Sequence, residues 1–373
     1  MKKTAAIIFS NINDQQLPEL TKLRTVAAVP IAARYRLIDF PLSGLSNAGV
    51  HTIGIVCKAK YHSLMRHVGG GKSWDLDRKT GGVTVISPYV EAGSGPLYVN
   101  RLEALQNSLR YVMNINAENI ILTDADHLAN IPYKDILEAH ADSGADITAV
   151  YKKVNIKTPV SQYNLDFDVA DDGSIEKIKI HDTFSGKLNH GLNLYVIKRQ
   201  VFVNMINDSL IYGYKSFSRE LLPLYLKRSK VMAYEFTGYV SYIVTLQDFW
   251  QGNMDLLDSH IRNEIFNQKD LPIYTNPRDS NPTIYEDDCN VSNSLISDGC
   301  VIAGTVENSV IFRGVRVDEG AVVRNSVLLT DTIIESGARL DHVVADRTVV
   351  VRKGRTLSGC DGYPFFIPTM SIL

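Results

Sequence analysis

The sequence has few cysteines, and their spacing suggests no pairing. Cys57, Cys289, Cys300 and Cys360 stand far apart among 373 residues, and no two of them form a C-x-x-C pair. This spacing argues for reduced thiols, and against both a disulfide framework and a zinc site. Reduced thiols make the cytoplasm the expected compartment.

Long apolar runs and an excess of one charge are also missing. No stretch is apolar over the length that a membrane span needs, and the apolar run at residues 5–9 is too short for a signal peptide. The 39 basic and 41 acidic residues give a formal net charge of -2. We therefore expect no nucleic-acid or membrane partner, and any anion site has to be local.

The composition is that of a globular protein, with 45% hydrophobic and 21% charged residues. The length favours two domains, each large enough to bury a core without metal or disulfide support. The first two thirds of the chain alternate short apolar runs with helix-like segments, and the predicted strands are Ala5–Phe9, His51–Cys57, Asn119–Thr123 and Asp146–Val154.

Two helices are predicted between these strands. Over residues 100–113, leucines and a valine recur at helical spacing, and Asn100 with Glu103 forms an N-terminal capping box. A second helix is predicted from Pro132 to just before Gly144, because proline suits a first helical turn and glycine a helix end. The alternation predicts an α/β domain with a mainly parallel sheet covered on both faces, whose ligands bind at the carboxyl ends of the strands.

The composition changes at residues 271–283, which read LPIYTNPRDSNPT. Three prolines among small and polar residues are typical of an interdomain linker. We therefore expect a first domain over residues 1–270 and a second over residues 284–373.

A six-residue repeat follows this linker. Aliphatic residues recur at that spacing, and glycines fall three residues after repeat starts; these residues are Ile311, Val317, Val323 and Leu329, and Gly299, Gly314, Gly320 and Gly337. The repeat predicts a parallel β-helix, in which three short strands per coil point aliphatic side chains into a triangular core. A β-sandwich is the ordinary alternative, but its alternation would not hold a six-residue register for so long.

Three stretches together resemble bacterial ADP-glucose pyrophosphorylase, the glucose-1-phosphate adenylyltransferase family. They are AVP through RYRLIDFPLS at residues 28–43, WDLDR with GGV at residues 74–83, and the hexapeptide domain. This resemblance implies a Rossmann-like (GT-A type) nucleotidyltransferase domain followed by a left-handed parallel β-helix. It also implies the reaction in which the phosphate of glucose 1-phosphate attacks the α-phosphate of ATP, giving ADP-glucose and pyrophosphate for glycogen synthesis.

The family's substrate-binding motifs are replaced in this chain. Transfer between polyphosphate anions needs the backbone N–H groups of a glycine-rich loop, cationic side chains and Mg²⁺. The family's loop is GGxGxRL, whereas residues 9–16 read FSNINDQQ, without glycine or arginine. The lysine of the family's KPAVP is Val26, the glutamine near the base is Lys58, and GTADA aligns with VNRLE at residues 99–103. No cofactor-binding motif is therefore intact.

The family's metal site is half present. Residues 122–127, LTDADH, resemble the family's L-x-G-D-H and place Asp126 on the metal-binding aspartate. Its partner carboxylate belongs to a later GYW-x-DVGT segment, where this chain has Tyr242. One carboxylate with waters holds Mg²⁺ weakly, so Asp126 is at most a vestigial catalytic residue. Alternatively, Asp124 and Asp126 are solvated acids at a strand end.

This pattern resembles one branch of the family, the noncatalytic D-type glycogen subunit that pairs with the catalytic subunit in a heterotetramer. The resemblance implies a regulatory subunit that requires no cofactor, since Mg²⁺ is needed only in the catalytic partner. Losing one transition-state contact costs roughly a hundredfold to a thousandfold in rate, so little turnover by the chain alone is expected. Whether the chain forms a homo-oligomer without its partner stays open.

A local basic cluster surrounds the glycines at residues 69–71, and glycines among cations suit phosphate binding. The cluster comprises Lys58, Lys60, His62, Arg66, His67 and Lys72. In the family, cations of this neighbourhood and the arginine of the YR block lie near an anionic effector site. The resemblance therefore implies Arg36 and Arg66 as effector-site candidates, and a solvated loop with a helix face is the alternative.

Two other function classes stay open. The chain could be an active nucleotidyltransferase that uses altered residues, although the loop at residues 10–16 argues against it. It could also be a hexapeptide acyltransferase, which needs a base in the repeat domain, where His342 is the only histidine.

Overall fold

The computed structural model describes residues 3–12, 14–87, 98, 100–160 and 164–373. In the first domain the strands are β1 (Thr4–Phe9), β2 (Pro30–Ile31), β3 (Tyr35–Arg36), β4 (Thr52–Val56), β5 (Gly82–Ile86), β6 (Asn119–Asp124), β7 (His127–Leu128), β8 (Ile147–Val160), β9 (Asn164–Val169), β10 (Ile175–His181), β11 (Phe184–Lys198), β12 (Val231–Glu235) and β13 (Ser241–Tyr242). The α-helices are α1 (Pro18–Thr21), α2 (Asp39–Asn47), α3 (His62–Val68), α4 (Arg101–Asn114), α5 (Tyr133–Ser143), α6 (Arg199–Tyr212), α7 (Leu222–Leu226), α8 (Leu246–Asp255) and α9 (Ser259–Phe266). Short 3-10 turns cover Val26–Ala28 and Lys72–Trp74, and a π-helical turn covers Phe217–Leu221.

The main sheet has the strand order β10-β9-β11-β6-β1-β4-β5, and β8 pairs with both β11 and β12. Strands β6, β1, β4 and β5 run parallel, as the alternation of strands and helices predicts. The expectation of a mainly parallel sheet is wrong for the other half, because β11 runs antiparallel to β6, β8 and β9. Strands β8 to β11 follow one another without an intervening α-helix, so no crossover connection is there to make them parallel.

Residues of β1 alternate between two cores. Ala5, Ile7 and Phe9 belong to the core under α4 and α6, whereas Ala6 and Ile8 belong to the core under α2 and α5. The sheet is therefore covered on both faces, as expected from buried apolar strands.

Both helix predictions agree with the structure. Helix α4 begins after Asn100, whose side chain accepts a hydrogen bond from the backbone N–H of Glu103. The Glu103 carboxylate in turn accepts a hydrogen bond from the Asn100 side-chain amide at 3.1 Å. Helix α5 ends at Gly144, which adopts a left-handed conformation with φ +64°.

The second domain consists of three parallel sheets of five strands each. They are formed by Ile284–Tyr285, Val301–Ile302, Arg316–Val317, Ile333–Ile334 and Val350–Val351; by Asn290–Ser292, Thr305–Glu307, Val322–Arg324, Arg339–Asp341 and Thr356–Ser358; and by Leu295–Ile296, Val310–Ile311, Val327–Leu328, Val343–Ala345 and Phe365–Ile367. The repeat positions Ile311, Val317, Val323 and Leu329 are fully buried. The predicted parallel β-helix of hexapeptide repeats is therefore confirmed, and the three sheets agree with its left-handed form.

Residues 271–283 contain no helix or strand, but hydrogen bonds attach them to the first domain. Asn130 Nδ2 donates to the Leu271 carbonyl at 2.9 Å, and Asn47 Nδ2 donates to the Pro272 carbonyl at 2.9 Å. The segment that joins the two domains is thus fixed to the loop and helix beside it.

The two domains share a hydrophobic core, and polar contacts also join them. Phe40 and Phe249 of the first domain pack in one cluster with Phe312 and Leu329 of the second. Arg24 donates to both carboxylate oxygens of Asp346, at 2.7 and 2.6 Å, and both side chains are buried. Trp250 Nε1 donates to the Asn325 carbonyl at 2.8 Å.

Within the described part of the chain, no helix combines the length and apolarity that crossing a bilayer requires.

Candidate functional site

The expected ligand edge of the sheet lies where β1 and β6 end. β6 ends at Asp124, and the short ribbon of β7 and β13 follows it. In that ribbon Tyr242 lies opposite His127, and the Ile243 N–H donates to the Asp126 carbonyl at 2.7 Å. The structure therefore brings Asp126 and Tyr242, the two halves of the predicted metal site, to one place.

Tyr242 is enclosed by two histidine rings. Its ring centroid lies 5.9 Å from that of His127 and 5.2 Å from that of His190. The Tyr242 hydroxyl oxygen is buried and has no hydrogen-bond partner among the described residues. Burial, together with the charge of Asp126, raises the pKa of Tyr242 well above its ordinary value. Tyr242 therefore stays a neutral phenol and supplies no second carboxylate.

Asp126 is itself engaged. Its Oδ1 lies 3.1 Å from His127 Nδ1, and only 4% of the residue is exposed. The alternative of a solvated acid at a strand end is therefore wrong for Asp126, because a buried carboxylate requires a partner. The same holds for Asp124, which is 2% exposed.

Asp124 is paired with a cation from the neighbouring helix. Arg101, the first residue of α4, donates through Nη2 to Asp124 Oδ2. The Arg101 guanidinium also lies 4.6 Å from the centroid of the Phe9 ring, at the end of β1. Burial raises the pKa of Asp124, and the charge of Arg101 opposes that rise. An internal guanidinium thus provides positive charge at this edge of the sheet.

These residues do not fit the Mg²⁺ ion that the family resemblance implies. Hard cations take oxygen ligands at an open site, whereas Asp124 is engaged by Arg101 and Tyr242 offers a phenol. Across the described ranges, no three or more His, Cys, Asp or Glu side chains are grouped so as to hold a metal ion.

Side chains of the loop after β1 form hydrogen bonds with neighbouring segments and occupy the space at the end of that strand. Asn11 Oδ1 accepts a hydrogen bond from the Tyr98 hydroxyl at 3.0 Å, and Ser10 Oγ donates to the Val56 carbonyl at 2.7 Å. Asp14 accepts from the Val26 N–H at 2.7 Å, and burial raises the pKa of Asp14 to about 6. A carboxylate and bulky polar side chains therefore stand where a glycine-rich loop would offer N–H groups to phosphate. Residues 13 and 99 of the aligned motifs lie outside the described residues.

The basic cluster of the sequence divides between two places. Lys58 lies 5.7 Å from the Tyr98 ring centroid and Lys60 donates to the Thr21 carbonyl, so both belong to the closed loop. His67 turns inward, with Nε2 2.5 Å from the buried Asp39 carboxylate. Arg66 is exposed on α3, and its charge acts on Arg347 of the second domain. Only part of the cluster therefore faces the interdomain boundary.

A cleft at that boundary is lined by four arginines, which are Arg34, Arg36, Arg278 and Arg313. Its volume is about 40 Å³, and its other lining residues include Pro30, Phe312 and Thr330. Arg36 donates to the Ser63 carbonyl and hydroxyl, each at 2.9 Å. Burial lowers the pKa of Arg36 to about 10, and the charge of Arg278 acts in the same direction. Arg313 is paired with Asp298, because its Nε donates to both carboxylate oxygens at 3.0 and 3.1 Å. The net positive charge of the cleft therefore comes from Arg34, Arg36 and Arg278, and it suits a small anion with several oxygens.

Sequence reasoning named Arg36, which lines this cleft, and Arg66, which is not among its lining residues, and it missed the other arginines of the cleft. Arg278 lies in the joining segment and Arg313 in the β-helix, far from Arg36 along the chain. The sequence analysis also gave no role to Arg101 or Tyr98. A cation in the first turn of a helix is unfavourable against the helix dipole, so Arg101 beside the Asn100 cap was a usable sign of an acidic partner.

His342, the candidate base of an acyltransferase, has both ring nitrogens engaged. Nδ1 lies 2.8 Å from Asp341 Oδ1 and Nε2 lies 2.7 Å from Asp361 Oδ1. The ring also stacks on Trp250, with centroids 5.5 Å apart. This arrangement leaves no free nitrogen for a general base.

Comparison with known proteins agrees with both domains. The nucleotidyl transferase family profile matches residues 6–259, and the profile of the GlmU-like C-terminal hexapeptide matches residues 283–361. A glucose-1-phosphate adenylyltransferase of Fervidobacterium nodosum is 33% identical over 360 residues, which cover 94% of this chain and 84% of the relative. One from Clostridium perfringens is 29% identical over 356 residues, covering 95% and 91%. One from Clostridium botulinum is 33% identical over 327 residues, covering 86% and 83%. The chain therefore belongs to the ADP-glucose pyrophosphorylase family, the glucose-1-phosphate adenylyltransferases.

Proposed function

We propose that this chain is a noncatalytic, regulatory subunit of a glucose-1-phosphate adenylyltransferase in glycogen biosynthesis. It acts by assembling with a catalytic subunit, in a heterotetramer, and that partner converts ATP and glucose 1-phosphate to ADP-glucose and pyrophosphate. The observation that carries this proposal is the Arg101–Asp124 ion pair at the carboxyl end of β6.

The ion pair matters because of where it lies. Nucleotidyl transfer needs a metal and cationic groups that are free to meet developing charge on phosphate. Here the cation is already neutralised by a buried carboxylate, and the neighbouring Tyr242 cannot replace an acid. The closed loop at Asn11 and Tyr98 adds a second obstacle, because their hydrogen bond occupies the approach to the end of β1.

The retained sequence blocks support a role in assembly. Asp39 is fully buried and binds both the Arg36 backbone N–H and the His67 ring, whereas Trp74 is buried beneath the same ring. These residues build the scaffold next to the arginine cleft rather than the edge where substrates would bind.

Regulation would act through the arginine cleft. An anionic effector that carries phosphate would contact arginines of both domains, Arg36 and Arg313 among them, and Arg66 lies nearby on α3. Binding between the domains would favour one arrangement of their interface, which couples the cleft to a partner subunit.

The runner-up is an active nucleotidyltransferase with altered residues. The one feature in its favour is Asp126, which stays at the position of the family's metal-binding aspartate. Pyrophosphate release from ATP and glucose 1-phosphate by the chain alone separates the two functions, since a noncatalytic subunit could bind nucleotide without turning it over.

The test of assembly is light scattering on the purified chain, on the catalytic subunit of the same source, and on their mixture. We expect one species in the mixture with two copies of each chain. Separate elution of the two proteins at all mixing ratios would contradict the proposal.

A further inference from the structure

A cavity of about 870 Å³ opens at the amino-terminal ends of the parallel strands, on the edge of the sheet opposite to the candidate functional site. Thr4 and Thr52 begin β1 and β4 there, and the cavity also touches the last turns of α4 and α5. Its volume lies within the range of about 300 to 1,000 Å³ that ligand pockets usually have.

The retained GGV block of the sequence forms one rim of this cavity. Gly81 has φ +89°, and a Cβ atom there would lie 2.7 Å from the His51 carbonyl oxygen. The Gly82 N–H donates to the same oxygen at 2.6 Å. Only glycine at residue 81 allows the edge strand to approach His51 so closely, so the block shapes this cavity and not the candidate functional site.

Two side chains that line the cavity hold buried polar atoms without a partner in the described part of the chain. They are Tyr111, through its hydroxyl, and His51, through Nδ1. Burial raises the pKa of Tyr111 to about 12, and burial together with Arg78 lowers the pKa of His51. Both groups are uncharged at neutral pH, and buried polar groups of this kind are normally satisfied by a hydrogen bond.

The remaining lining is polar but weakly charged. Lys3 is opposed by Glu138 and Asp142, which gives the cavity a formal charge of about -1 and disfavours phosphorylated ligands. Hydroxyl and amide groups that both donate and accept supply most of the other polar positions, which are Thr52, Thr80, Thr84, Asn114, Asn116 and Asn119. Apolar surface between them comes from Ala48, Val50, Ile115 and Leu137.

We propose that this cavity binds a neutral oligosaccharide. Sugar hydroxyls donate and accept hydrogen bonds, which matches threonines, asparagines and carboxylates, and the C–H faces of the rings match the apolar walls. A single hexose would leave most of the cavity empty, so the ligand is an oligomer. The choice of an α-1,4-glucan rests on the proposed function, in which the partner supplies glycogen synthesis.

The test is binding of maltotetraose to the full chain, measured by saturation-transfer NMR and calorimetry, with cellotetraose as the comparison sugar. Thr84 is exposed on the edge strand and lines the cavity, so Thr84→Trp places a bulky side chain in the cavity without touching the core. Thr356→Trp places the same residue on an exposed strand of the β-helix and is the matched control. Thermal unfolding of both variants establishes that each is folded.

We expect maltotetraose to bind the wild-type chain, Thr84→Trp to weaken binding by about tenfold or more, and Thr356→Trp to leave it within about twofold. No binding of either tetrasaccharide to the wild type overturns the proposal, and so does binding that Thr84→Trp leaves unchanged. If Thr84→Trp instead weakens only assembly with the catalytic subunit, the cavity belongs to a protein interface and the proposal is wrong.

Binding of cellotetraose but not of maltotetraose, with loss of that binding in Thr84→Trp, would support the oligosaccharide site while refuting the α-glucan. Because these measurements use the chain without its partner, their failure leaves the regulatory function untouched. Failure of that function would in turn show in turnover and assembly, which the sugar experiment does not measure.

Discussion

Arg101, the first residue of α4, forms a buried ion pair with Asp124, the last residue of β6. The pair joins the helix that follows the edge strand to the central strand of the sheet. Its position explains how the chain keeps the architecture of a nucleotidyltransferase domain while its ligand edge is occupied by internal contacts.

Removing this pair and restoring the missing acid should create a metal site. We predict that the double variant Arg101→Ala/Tyr242→Asp binds Mn²⁺, because Asp124 would lose the cation that pairs with it and the new carboxylate would lie beside Asp126. Added Mn²⁺ should raise the melting temperature of this variant by several degrees through binding to the folded state. The control Arg101→Ala/Tyr242→Phe should show no such shift, and an equal shift in both variants would refute the account.

Breaking the Arg24–Asp346 ion pair between the domains should lower the free energy of unfolding, whereas replacing both residues by apolar ones should change it little. We predict that Arg24→Ala lowers the free energy of unfolding by about 3 to 5 kcal/mol, because it leaves Asp346 buried without its partner. The double variant Arg24→Met/Asp346→Leu should lie within about 2 kcal/mol of the wild type in urea unfolding. A loss in the double variant as large as in the single one would mean that packing, not charge, decides the effect.

Asp14 should make the chain less stable as pH rises. Its pKa is raised from 3.8 to about 6 by burial, so the folded state binds the proton more tightly than the unfolded state between these values. This contribution to stability is present in acid and is lost as pH rises through about 4 to 6. We predict that Asp14→Asn raises the free energy of unfolding at pH 7.5 by about 1 to 2 kcal/mol, after allowance for solvent screening. The difference between variant and wild type should shrink towards pH 4, and a difference that does not vary with pH would contradict the assignment.

The arginine cleft should bind phosphate-containing anions. Arg278 is exposed and lines the cleft, whose volume of about 40 Å³ suits only a small anion. We therefore predict that Arg278→Gln weakens binding of inorganic phosphate, used as a probe, by about threefold to tenfold. Lys72→Gln removes an exposed positive charge from the basic cluster around residues 69–71 but lies outside the cleft lining, and it should have little effect. Calorimetric titration measures both, and equal affinity in all three proteins would exclude this cleft as the site.

How far the sequence predicts the structure differs between elements. β1, β6, α4 and α5 follow from local periodicity and cap residues such as Asn100 and Gly144, which act within a few positions along the chain. The repeat domain follows for the same reason, because each coil contacts only its neighbours. The antiparallel pairing of β11 with β6 and β8 depends on which distant strands meet, and local pattern does not encode that choice.

The candidate functional site shows the same difference between features that local sequence predicts and contacts between distant residues. Asp126 and Tyr242 were paired by their place in sequence motifs, and the ribbon of β7 and β13 does bring them together. Two contacts of the site join residues that are far apart along the chain. Tyr98 donates a hydrogen bond to Asn11, and Arg278 lines one cleft with Arg36 and Arg313. Such contacts arise only once the domains have packed, so no spacing in the sequence could indicate them.

The measurement that tests the central claim most directly is the rate of pyrophosphate release from ATP and glucose 1-phosphate with Mg²⁺, for the chain alone, its catalytic partner alone, and the mixture. The account predicts no release by the chain alone and a mixture whose rate or effector response differs from that of the partner. Sustained release by the chain alone, or a mixture that behaves as the partner does by itself, would contradict it.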